Sequence, residues 1–456
     1  MKKLFPAINL VLIFSLVMAV PAFAQGTTGT LAPGTWVSSI NIQNTGSGAA
    51  TVTINFYDSN GTLATTFAAT PAIPAGGSRS YYVPAEIPGL NSGQYSVVVS
   101  SDQPLQVVAN ATSSGPLTSG AYMGIQSTEL AQTLYFPGLY KNYYGFYSEI
   151  VLMNAEATQA TVTITFYDQL TGTQVAQVPN ATIPGNTSRV FALQDLSAVP
   201  SGNANGLLSA KVTSDKNLAG VANIWNSAGN GQFSDYNAYT SGSTSTIYAP
   251  ALYKNYYNFN SALTIQNIGS APANIRVTYS NGIQEEATLQ VGQAKEYYQP
   301  NNTSLPSGNT EGVFSAKVDT LNSVPIVALV SVNDGQSLAS YNAAGLATTN
   351  GSGCPVVLKE FYDFFSAETV QNVGSLTTDI TITYASGQSR TFTNVPANGT
   401  VNIIELASAG SVLPTLSSVS AVITSSNSQP LVAVVQENRI TPQAGDTLLA
   451  YTCVSR

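Results

Sequence analysis

The chain has 456 residues, two cysteines and no histidine. Without histidine there is no ordinary Ser-His-Asp or Cys-His nucleophile and no common zinc site. Cys354 and Cys453 lack a histidine base for thiol catalysis and a second cysteine pair for a metal. Two cysteines can form a disulfide in an exported chain, and here the pair would clamp the two ends of the last quarter of the sequence. A glycosidase needs two positioned carboxylates. Glu149, Glu156, Glu285 and Glu286 are available, but none recurs along the chain, and a solvated surface accounts for them. There is no phosphate-binding glycine loop, dinucleotide fingerprint or EF-hand loop. Asp58 and Asp168 each end a strand beside a turn, where calcium is a minor reading. Asn60, Asn110 and Asn398 lie in Asn-x-Ser/Thr triplets, which a chain so rich in Thr, Ser and Asn contains by composition. The residues therefore predict no catalytic centre, no cofactor and no metal. A secreted hydrolase with an unrecognised site is the third choice of function.

The aromatic residues carry more information. "LYKNYYGFYSEI" begins at Leu139, and a close copy, "LYKNYYNFNSAL", begins at Leu252. Tyrosine faces can stack on sugar rings or pack against protein. The candidates for either role are Tyr143, Tyr144, Tyr256, Tyr257, Phe361 and Tyr362. The aligned Lys141, Lys254 and Lys359 either snorkel over these rings or face solvent.

The elements that position these residues follow from an internal repeat. Asn44, Asn154, Asn267 and Asn372 are related by offsets of 110, 113 and 105, and "TVTINFYD" returns as "TVTITFYD". Ser96, Ser209, Ser315 and Ser420 align downstream, and each unit closes near a tyrosine: Tyr122, Tyr239, Tyr341 and Tyr451. Val162, Ile164 and Phe166 alternate with threonines, the period of a half-buried strand. Asn44 and its copies read as turn residues. About seven strands per unit and no amphipathic helix predict an all-β chain of four tandem immunoglobulin-like antiparallel sandwiches. The boundaries are a signal peptide at 1–24 and repeats at 25–130, 131–244, 245–349 and 350–456. Short linkers predict an elongated rod. Phe146 and its equivalents, Trp36 included, are expected in the cores. The aromatic entry is full length in repeats two to four and shortened in repeat one, which favours packing against a preceding domain.

"NTGSGAATVTINFYD", "NIGSAPANIRVTYSNG" and "NVGSLTTDITITYASG" resemble the Asn-x-Gly strand-turn-strand pattern of bacterial secreted and cell-surface immunoglobulin-like repeats, adhesion domains among them. The resemblance implies an extracellular setting. It carries over no site residue.

The first 24 residues read as an export leader: Lys2 and Lys3, an apolar run, then Ala22 and Ala24 at the cleavage positions. No later stretch has the ~20 apolar residues of a membrane helix. Removing the leader leaves 13 basic residues against 23 acidic ones. Such a balance disfavours nucleic acid, whose binding relies on basic patches. The expected function is a noncatalytic, secreted cell-surface or matrix protein acting in structure and adhesion. Its expected partners are surface proteins or glycans, with self-association as a further expectation. The alternative is an array of carbohydrate-binding modules built on the entry tyrosines.

Overall fold

The computed structural model describes residues 9–17, 35–114, 117–227, 231–345, 351–441 and 444–455, the first of these segments by backbone alone. Lys2, Lys3, Ala22 and Ala24 lie outside these residues. Among the described residues the regular structure is almost entirely antiparallel strand, as the alternating pattern predicts.

One strand order recurs in successive stretches of the chain. In the third stretch, one sheet runs Thr246–Tyr253, Val313–Thr320, Ala273–Tyr279, Gln284–Leu289. The other runs Ala294–Tyr298, Asn260–Asn267, Ile326–Asn333, Leu338–Asn342. The first and fourth stretches repeat both orders with one extra short strand each. In the second, a single twenty-residue strand, Leu207–Asn226, serves both sheets and joins them into one. We call the strand that opens each stretch the leading strand. These are Asn9–Val17, Ala131–Tyr143, Thr246–Tyr253 and Ser352–Lys359. The last strand of each stretch's second sheet is the closing strand: Thr118–Met123, Phe233–Asn237, Leu338–Asn342 and Leu449–Thr452.

Local chemistry explains the recurrent residues. Asn267 is fully buried at a strand end, where its amide donates to the Ala271 and Leu289 carbonyls and its oxygen accepts the Gly269 N–H. Asn44, Asn154 and Asn372 make the same clamp. Each satisfies turn groups that burial would otherwise leave unpaired.

The aligned prolines do something else. Pro137, Pro250 and Pro355 lack an N–H, and the ladder shifts register around each. The residue after the proline is left without ladder partners, and a tyrosine hydroxyl supplies both. The Tyr341 hydroxyl donates to the Ala251 carbonyl at 2.7 Å and accepts its N–H at 3.2 Å. Tyr236 serves Gly138 and Tyr451 serves Val356 in the same way. The closing tyrosine of the second repeat is thus Tyr236, not Tyr239.

The repeats do not form a string. The closing strands touch in cyclic order, first to second, second to third, third to fourth and fourth back to first. The cores run together in the same sense. Val151 and Met153 of the second repeat join the first core, and Leu329 and Leu338 of the third join the second. Leu448 and Ala450 of the fourth join the third, and Val108 and Ala121 of the first join the fourth. The aligned serines mark the seams. Ser96 bonds Ser188, Ser209 bonds the Gly292 carbonyl, Ser315 accepts from Gln371, and Ser420 reaches Gly76 of the first repeat. The architecture is a closed ring rather than the expected rod. Short linkers permit both; in the ring the outer faces of the second sheets are covered, their Val108, Val151, Leu329 and Val434 joining the neighbouring cores and their Gln43, Gln106 and Gln371 bonding across the seams.

Candidate functional site

The entry aromatics divide into three levels. Each begins on a leading strand, turns, and continues into the next strand of the opposite sheet. At the base, Tyr253 is buried and its hydroxyl bonds Gln436 of the following repeat. Tyr140, its equivalent, faces Glu296 of the following repeat, and burial drives its hydroxyl pKa far up. Above it, Tyr143 stacks on Tyr140 at 6.0 Å and Tyr256 on Tyr253 at 5.7 Å. Tyr143, Tyr256 and Phe361 are half-buried.

The third level is exposed. Tyr144, Tyr257 and Tyr362 are 66%, 61% and 82% accessible. All three sit in the left-handed region, at φ of 48°, 46° and 47°, which bulky side chains rarely adopt. At Tyr144 and Tyr257 the conformation is held from two sides, and at Tyr362 by the ring contact. The Tyr144 N–H donates to Asn203 Oδ1 at 2.6 Å, and the Tyr257 N–H donates to Asn309 Oδ1 at 2.7 Å. Each ring also meets the edge of its half-buried neighbour, with centroids 4.9, 4.9 and 4.7 Å apart. Three tyrosines are therefore fixed in solvent by structure that orders them. Strained, over-determined positions of this kind concentrate at functional sites.

Between the second and third repeats this aromatic ladder walls a groove of about 150 Å³, lined by Tyr140, Tyr143, Tyr144, Glu296, Tyr298 and Asn333. Glu296 is exposed at the groove rim, where desolvation by the surrounding protein raises its carboxyl pKa above the usual range. The groove offers ring faces, a hydroxyl and a carboxyl, a combination that holds polar rings of modest size.

Several expectations change here. The entry segments pack on the following repeat, not the preceding one, because the leading strand lies on the seam toward the next repeat. Phe146, Phe259 and Phe364 are half-buried rather than core. Trp36 is buried, but against Phe233 of the second repeat at 4.9 Å. The aligned lysines are neither solvated nor laid over tyrosines. Lys141 is 8% exposed and donates to the Leu196 and Val199 carbonyls at 2.7 and 2.9 Å. Lys254 donates to Asn302 and Leu305, and Lys359 to Leu413. Each holds the loop that follows a short 3₁₀ turn, at Leu193–Asp195, Gln299–Asn301 and Ala407–Ala409.

Cys354 and Cys453 form a disulfide, with Cα atoms 4.8 Å apart. With Tyr236 in register, Cys453 stands where the second and third repeats have Ala238 and Ala343. Asp58 and Asp168 each bond backbone N–H groups of their own turn. Glu149 accepts from Asn223 in a buried seam, Glu156 pairs with Lys216 and Glu286 with Arg276, and Glu285 accepts from Tyr279 and Asn302. Among the described residues no group of three or more acidic or cysteine side chains is placed to hold a metal.

Sequence reasoning missed Asp446. It is fully buried and bonds elements of all four repeats. It has no copy in the other repeats, so the repeat gave no signal for it.

The fold and site define an all-β, sandwich-like protein with a buried disulfide. A disulfide fits an oxidising, extracellular setting, and among the described residues no helix is long and apolar enough to cross a membrane. Residues 21–295 match the model of a family of unknown function, DUF5719, and the chain belongs to that family. No curated protein matches it. Among solved structures, one titled "Crystal Structure of Thermotoga maritima 1070" is similar, at 19% identity. The likeness covers 24% of this chain and 93% of that one, with a TM-score of 0.20.

Proposed function

We propose that this is a noncatalytic, exported structural and adhesion protein that contacts surface partners through its tyrosine tips. The observation that carries the reading is the recurrence of Tyr144, Tyr257 and Tyr362, each exposed in a left-handed turn that its neighbours hold. An exposed ring on a rigid support binds at low entropic cost, since little is left to order. Three copies on one molecule raise avidity without new contacts. The ring of sandwiches is the scaffold, and the disulfide suits residence outside the cytoplasm.

The test replaces Tyr144, Tyr257 and Tyr362 together by asparagine, which tolerates the left-handed turn. Binding to the producing cell's surface fraction should fall at least tenfold while circular dichroism and melting stay unchanged. Undiminished binding by the folded triple variant would reject the tips as the contact.

A second reading is supported by the groove beside Tyr143, Tyr144 and Glu296. There the partner is a glycan, stacked on tyrosine and bonded to the carboxyl. A glycan array on the Glu296→Gln and Tyr144→Asn variants separates the two. Binding lost in both variants favours the glycan.

A further inference from the structure

Every seam of the ring contains a leading strand. Ala131–Tyr143 lies against Asn260–Asn267 and Ile326–Asn333 of the third repeat. Thr246–Tyr253 lies against Phe364–Asn372 and Leu431–Arg439 of the fourth. Ser352–Lys359 lies against Thr35–Asn44 and Leu105–Ser114 of the first. At the seam between the first and second repeats the place is taken by Asn9–Val17. This strand pairs antiparallel with Gln94–Ser101, Val11 opposite Val99 and Ile13 opposite Val97, and touches Phe146–Asn154 and Leu207–Asn226. These residues belong to the apolar run that reads as an export leader.

We propose that leader removal converts this place into a strand-acceptor site, and that residues 25–34 of a second copy fill it, so that the exported chain assembles head to tail. The inference rests on the export reading. The site is defined by the edge it would leave. Gln94–Ser101 pairs with Ala50–Tyr57 on one side and with Asn9–Val17 on the other. Without Asn9–Val17, one row of backbone donors and acceptors is open beside the buried Val97 and Val99. Open strand edges recruit strands.

The sequence selects the donor. The other leading strands carry Phe136-Pro137-Gly138, Ala249-Pro250-Ala251 and Cys354-Pro355-Val356. In each the residue before proline is completely buried. The segment just after the leader carries Ala32-Pro33-Gly34 in the same pattern; it lies outside the described residues.

Length forbids the same register within one chain. From the proline to the aromatic at the start of the next strand is nine residues in three repeats: Pro137 to Phe146, Pro250 to Phe259, which immediately precedes its strand, and Pro355 to Phe364. From Pro33 to Trp36 it is three. Those nine residues finish the leading strand, make the tyrosine turn and enter the opposite sheet. Three residues span at most about 10 Å, roughly the gap between packed sheets, and leave none for the reversal. A neighbouring copy has no such limit. Its contact is heterologous, donor end to acceptor site, which extends into open filaments.

The test uses three purified chains: residues 25–456, residues 35–456, and the longer chain with Ala32→Asp, which places a charge at the buried donor position. In sedimentation the 25–456 chain should form a concentration-dependent series of oligomers, and the other two should stay monomeric. A peptide of residues 25–34 should bind the 35–456 chain and slow hydrogen exchange across Gln94–Ser101 at least tenfold. A monomeric 25–456 chain would overturn the proposal. Equal association of the 25–456 and 35–456 chains would also overturn it. So would loss of the β spectrum in both, which would make Asn9–Val17 a permanent strand. Intact mass of the exported protein tests the export reading separately: a retained leader defeats that reading without deciding whether the site accepts a strand.

Discussion

The Asp446 carboxylate accepts the Phe233 backbone N–H at 2.7 Å, across 213 residues of sequence. The same oxygen accepts the Leu338 N–H at 2.8 Å, and the other oxygen accepts Leu448 at 3.0 Å. The Asp446 N–H donates to the Leu117 carbonyl at 2.8 Å. One side chain and its own backbone therefore tie together the starts of the closing strands of all four repeats. Burial drives its pKa far up, against the pull of the three N–H donors.

Removing this carboxylate strands three buried donors, each costing about 1–3 kcal/mol. Asp446→Ala should lower the unfolding free energy by roughly 3 kcal/mol or more, measured by urea titration. Asp446→Asn keeps an acceptor and should cost less than half as much. Equal losses would show that the side chain only fills space.

Tyr341→Phe deletes one hydroxyl and orphans both the N–H and the carbonyl of Ala251. The expected cost is about 1–3 kcal/mol. Tyr239→Phe tests the register from the other side. Its hydroxyl bonds the Ala328 carbonyl, not a residue after proline. A smaller loss there supports Tyr236 as the equivalent of Tyr341.

The buried carboxyls set the pH dependence. Burial pushes Glu149 up to about 7, Asp235 up to about 7 and Glu437 up to about 8. Glu368 is raised too, by burial and then by neighbouring Glu405. Folded values above the unfolded ones mean that the native state holds more protons. Stability is full below about pH 4 and is lost as pH rises through 7 to 8. Melting temperature should fall between pH 5 and pH 8. Glu149→Gln should remove part of that slope, on the order of 3 kcal/mol by pH 8. A melting temperature that rises over this range would contradict the assignment.

Cys354 and Cys453 close a loop of 99 residues. The chain-entropy relation assigns such a loop about 4–5 kcal/mol. The fourth repeat shares its seams with the third and the first. Cys453→Ser should therefore lower a single cooperative transition of the whole ring, rather than melt one repeat alone. Two separated calorimetric transitions would show that the repeats are independent.

The strands were legible because their period is two, as at Val162, Ile164 and Phe166, and their turns carry Asn-x-Gly and Pro signals, as at Asn267. The disulfide was legible from Cys354 and Cys453, the only pair. The tyrosine tips were legible as candidates, but not their division into buried, half-buried and exposed levels, which depends on the left-handed turn at Tyr144. Lys254 was not legible as buried. Charged residues are usually exposed, and its partners, Asn302 and Leu305, are backbone carbonyls some fifty residues away. Ring closure was not legible either. It rests on contacts such as Ser420 to Gly76 and on Asp446, a single residue without periodic copies.

Small-angle scattering of the monomeric protein tests the ring most directly. A closed ring of this length should give a radius of gyration of about 22 Å, the value for a compact chain, and a single bounded distance distribution. A string of four separate sandwiches would give roughly twice that radius and a rod-like scattering profile, and would contradict the closed arrangement.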